Sequence, residues 1–72
     1  METALEIVKQ HLLSTVGTRM RTEGHEWRMN NPTRPGADSM GFRFNVDTGV
    51  WHDHASGESG NAITLARALG LQ

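Results

Sequence analysis

The sequence predicts a small α+β domain in which a three-stranded antiparallel sheet lies between an N-terminal and a C-terminal helix. Three patterns point to it. Leu5, Val8, Leu12 and Val16 recur at helical spacing near the start of the chain. Phe42, Phe44 and Val46 alternate with Arg43 and Asn45, the period-two pattern of a strand with one buried face. Ile63, Ala66 and Leu69 restore the helical period near the end. All of residues 1–72 are read as one domain, because a chain this short buries only about 60% of its unfolded surface and has no material for a second core.

Each element has its own justification. Thr3-Ala4-Leu5-Glu6 has the Thr-x-x-Glu form of a capping box, Ile7 and Leu13 widen the apolar stripe, and Gly17 stands where a left-handed cap would end the helix. The first helix is therefore expected over 3–16. The sheet is expected over about 25–54. Its first strand is "HEWRM", carrying Trp27 inward, and "NNPTRPGADS", with two prolines, a glycine and several short polar residues, is a loop. The Phe42–Val46 strand then turns through "DTG" and returns as "VWHDH". Ser59 or Asn61 can cap the last helix, expected over about 60–69 and ended by Gly70. No internal repeat or low-complexity segment is present.

Composition excludes several functions. With zero cysteines, neither a disulfide framework nor a thiolate zinc site is possible, and the chain fits a cytoplasmic setting. The apolar positions of "METALEIVKQHLL" are interrupted by Glu6, Lys9 and His11, which fits neither a signal peptide nor a membrane span. The formal charge of −1 argues against a general polyanion binder, but the basic residues are clustered. Arg19, Arg21, Arg28, Arg34 and Arg43 lie between Thr18 and Asn45 against only Glu23, Glu26 and Asp38, so that segment is net positive by two.

The motifs with chemical potential are few. His52 and His54 share one strand face and could offer two imidazoles to a metal, with His25 or Asp53 as further candidates; a structural zinc needs four ligands, so a surface or hydrogen-bonding role is expected instead. "GESGNAIT" places glycines before a helix start but lacks the Gly-Lys-Ser/Thr of a nucleotide-binding loop, and reads as a tight turn. No paired nucleophile and base stands out, and the chain has little room for a substrate pocket; catalysis and a cofactor are not expected. In a domain with four aromatic residues, Trp27 and Trp51 are needed by the core before they are available to stack on bases.

The string Trp51-x-Asp53-x-x-Ser56-Gly57-x-x-Gly60-x-x-Ile63, with Asn31-Pro32 and Phe42-x-Phe44 upstream, resembles the zinc-binding domain at the N-terminus of bacterial and phage DNA primases. The resemblance covers about residues 24–69. It places that family's Cys-x-x-His pair at Trp27 and Asn30 and its Cys-x-x-Cys pair at Asp53 and Ser56, so all four zinc ligands are missing. The chain is more similar to metal-free versions found ahead of primase or helicase modules in phages, plasmids and other mobile elements. What the resemblance implies is a zinc-ribbon-like sheet without metal. Trp27, Asn30, Trp51, Asp53 and Ser56 would be structural at the former zinc site, with Asp53 accepting hydrogen bonds from Ser56 or nearby amides. It further implies a non-catalytic module of a primase-like DNA replication protein that engages single-stranded template, with phosphate contacts from Arg28, Arg34, Arg43, His52 and His54. The alternative is a module that docks a replicative helicase, primase or polymerase without touching DNA.

Overall fold

The computed structural model describes residues 3–34 and 36–71; Pro35, counted above in the loop, lies outside them. Helix α1 spans Ala4–Thr15. Thr3 starts it, its hydroxyl oxygen accepting the Glu6 amide at 3.2 Å. Gly17 ends it with φ 57°, a conformation costly for any residue with a Cβ, and opens a 3-10 turn over Gly17–Arg19. Arg19 folds back to donate to the last-turn carbonyls of Thr15 and Val16 at 2.6 and 3.3 Å.

The sheet is a meander of five antiparallel strands, not three. These are β1 (Arg21–Glu23), β2 (Glu26–Met29), β3 (Phe42–Asn45), β4 (Trp51–Asp53) and β5 (Ser59–Gly60), paired in chain order. The expected three form the centre. The two additions are short edges: β1 is exposed at all three residues and β5 has only two, so neither shows an alternation of apolar and polar positions. Gly24 at φ 59° helps close the β1–β2 hairpin. In the β3–β4 turn, Asn45 Oδ1 accepts the amides of Asp47 and Thr48 at 2.9 and 3.1 Å, and Gly49 takes φ 78°.

Helix α2 spans Ala62–Ala68. Asn61 caps it by accepting the Thr64 amide at 3.0 Å, while the Thr64 hydroxyl accepts the Asn61 amide at 3.0 Å. At its far end Gly70, with φ 73°, directs the Leu71 amide onto Ala66 O at 2.8 Å.

Both helices pack on one face of the sheet. Val8 and Leu12 of α1, Leu65 and Ala66 of α2, and Met29, Phe42, Phe44 and Trp51 of the sheet make one buried cluster. Phe42 and Trp51 stack with ring centroids 5.4 Å apart. Burying each large side chain here is worth about 1.5–3 kcal/mol, and the cluster uses one side of every central strand. Among the described residues no helix lies over the other side. No helix among the described residues is long and apolar enough to cross a membrane.

Candidate nucleic-acid interface

Strand alternation decides what the uncovered side carries. With Met29, Phe42 and Phe44 buried, Arg28 and Arg43 must point away from the helices, and pairing aligns them. Arg21 of β1 is directly opposite Arg28, Arg28 is opposite Arg43, Arg43 is opposite His52, and His52 is opposite Ser59. Three arginines and a histidine thus run in one row across four neighbouring strands, at the sheet spacing of about 4.8 Å. Beside His52, the ring of His54 meets it edge-on at a centroid distance of 4.9 Å.

A parallel row moderates this charge. Glu23 is opposite Glu26, and these carboxylates reach diagonally to the arginines: Arg28 Nη1 is 3.3 Å from Glu23 Oε1 and Arg43 Nη1 is 3.7 Å from Glu26 Oε1. Both pairs are partly exposed and contribute little to stability. Like charges directly opposite on a sheet are unfavourable, and the Nε atoms of Arg28 and Arg43 are shielded from solvent without a hydrogen-bond partner. Arg21 has no ion pair among the described residues. A row like this is locally unfavourable for the fold alone.

The other arginine expected at the surface, Arg34, is not in the row. It sits on the β2–β3 loop with Nη2 3.4 Å from Glu58 Oε1. Arg21, absent from the expected set, takes its place. Its signal in the sequence was only its membership of the basic segment, because nothing there revealed that residues 21–23 form a strand. His25 pairs with Asp47 at 2.5 Å, away from His52 and His54, and no three His, Asp or Glu side chains converge on a common point among the described residues.

On the helix side, the β4–β5 connection is organised around Asp53, which is 2% exposed. One carboxylate oxygen accepts Asn31 Nδ2 at 2.7 Å and the Ser56 hydroxyl at 3.1 Å; the other accepts the Ala55 amide at 2.9 Å. Three donors thus converge where the resemblance would have placed a metal ligand. The Asn31 amide holds the Asp53 carboxyl below its ordinary value of 3.8 against the opposing effect of burial, and the Ala55 amide, the Ser56 hydroxyl and the Arg34 charge act in the same direction as Asn31. Asn31 is itself fixed, since its Oδ1 accepts the Thr33 amide and hydroxyl at 2.8 and 2.6 Å.

The other residues expected at the former zinc site are dispersed. It is Asn31, not Asn30, that closes the cluster. Asn30 is exposed and accepts the Met40 amide at 3.0 Å, because the side chains of 30 and 31 leave the chain in different directions at the end of β2. Trp27 is half-buried against Phe44 at a centroid distance of 6.2 Å and makes no contact with the Asp53 group through a hydrogen bond. Trp51 is buried and donates its indole N–H to Asn61 O at 3.0 Å, tying β4 to the cap of α2. Comparison with known protein families, curated proteins and solved structures yields no match for this chain.

Proposed function

We propose that this domain is a non-catalytic module that binds the backbone of single-stranded DNA on the uncovered face of its sheet, and that it does so without metal as part of a primase-like replication protein. The observation that carries the binding reading is the in-register row Arg21, Arg28, Arg43 and His52. Phosphates of a strand laid across the sheet would meet the three arginines, with His52 as a hydrogen-bonding group at the end of the row, and a phosphate between two arginines relieves the repulsion that the row imposes on the free protein. Contacts of this kind position the strand rather than read it. The replication context is supported by the primase-like string of the sequence alone.

The test is binding of a short oligothymidylate followed by chemical-shift perturbation and by a salt titration. Perturbations should map to Arg21, Arg28, Arg43 and His52. Replacing Arg43 by Ala should flatten the slope of log affinity against log salt by about 0.7, the increment that each neutralised phosphate of a single strand contributes. A sheet face that shows no perturbation at low salt sinks this reading and transfers the role to docking of a helicase, primase or polymerase.

A further inference from the structure

We infer that the recess bounded by Arg21, Arg28 and Met40 is a subsite for one unpaired base of the bound strand, and that guanine is the base it favours. The inference rests on the strand-binding reading above and adds to it a base-selective site. The recess has a volume of about 350 Å³ and lies at the β1 end of the arginine row. That is the small end of the range for ligand sites, ~300–1,000 Å³, and suits a single ring system rather than a whole nucleotide.

Two features distinguish this recess from the rest of the face. The first is Arg21. The guanidinium groups of Arg28 and Arg43 each have a glutamate beside them, whereas Arg21 has none among the described residues and keeps its fork of donors open. The second is Met40, the one non-glycine residue described with a positive φ, at 55°. Left-handed backbone is uncommon for a long unbranched side chain, and here it is pinned by the bond from the Met40 amide to Asn30 Oδ1. The effect of using methionine is to supply an apolar, polarisable wall beside two guanidinium groups.

The chemistry of those three side chains selects the ligand. Arginine donates and never accepts, and a thioether accepts only weakly, so the recess offers donors and a flat apolar contact. A phosphate satisfies the donors but has no use for the wall. A base satisfies both, by stacking on the thioether and presenting acceptors to the fork. Guanine carries two adjacent acceptors, O6 and N7, at the spacing a single guanidinium bridges. In a duplex the ring faces are stacked on their neighbours, so only an unpaired, splayed base can enter.

The experiment compares a short oligothymidylate with the same strand carrying one central guanine, adenine or cytosine, by fluorescence anisotropy at fixed low salt. The guanine strand should bind about fivefold or more tightly than the parent, and more tightly than the adenine or cytosine strand. Arg21→Lys, which keeps the charge but loses the fork, should reduce that advantage to below about twofold. Met40→Gly should do the same while unfolding at an equal or higher temperature, because glycine takes the backbone conformation without strain. A guanine advantage that survives both substitutions overturns the inference. Equal affinity for all four strands, with the salt slope intact, overturns the base recess and leaves the backbone reading standing. No binding of any strand by the unmodified protein overturns both.

Discussion

Asp53 shows how one buried side chain can join two loops. Its carboxylate draws Asn31 from the β2–β3 loop and Ser56 and Ala55 from the β4–β5 loop onto a single buried group. Asp53→Ala should therefore cost about 1–3 kcal/mol, because it leaves buried donors unpaired, and urea unfolding would measure it. Asn31→Ala should cost a similar amount, and the double variant less than the sum of the two, since both act through the same bond. The pH dependence follows from the direction of the shift. A carboxyl held below 3.8 in the folded protein binds protons more readily once unfolded, so its contribution is present above that value and is lost as pH falls through the folded one. Between neutral pH and acid below 3.8, the unmodified protein should lose more stability than Asp53→Asn; equal losses would contradict it. Asp53 was legible in the sequence through its place in the Trp-x-Asp-x-x-Ser string. Its partner Asn31 lies one position beyond the Asn30 that the family's Cys-x-x-His spacing indicates, because the Asn-Pro-Thr sequence favours a side-chain-capped turn at Asn31.

Among the elements, the junction of β4, β5 and α2 leaves little room for change. A Cβ built on Gly60 would stand 2.3 Å from Thr64 Oγ1 and 3.0 Å from the Trp51 ring, and both of those groups are fixed by the α2 cap. Gly60→Ala should thus destabilise by about 1–3 kcal/mol through overpacking, although its backbone conformation is one that alanine adopts freely. Trp51→Ala, which opens the core and removes the indole bond that ties β4 to the α2 cap, should cost about 3–5 kcal/mol, and circular dichroism at rising temperature would show it as partial or complete loss of folding. The helices and central strands were readable because capping residues and apolar periods are local signals. The edge strands were not. Polar residues at 21–23 acquire strand geometry only by pairing with β2, so the alignment of Arg21 with Arg28 exists in the folded protein and nowhere in the sequence.

For the molecule as a whole, hydrogen bonds at Asp53 and the aromatic stack of Phe42 and Trp51 join the sheet to its loops and helices. Thermal unfolding with and without excess chelator should coincide; a midpoint several degrees lower in chelator would show a bound metal. The meander described above also has a kinetic consequence. Every strand pairs with the next along the chain, and all but the β2–β3 connection close short loops, whereas α1 and α2 come from opposite ends and must close nearly the full length. Loop-closure entropy therefore favours a folding nucleus in the β3–β4 hairpin, with helix docking after the barrier. In stopped-flow experiments Phe44→Leu should mainly slow refolding, and Leu65→Ala should mainly speed unfolding. Of the arginine row only Arg43 and His52 belong to that hairpin, so like charges are brought face to face only as β2 and then β1 join a sheet edge that already exists.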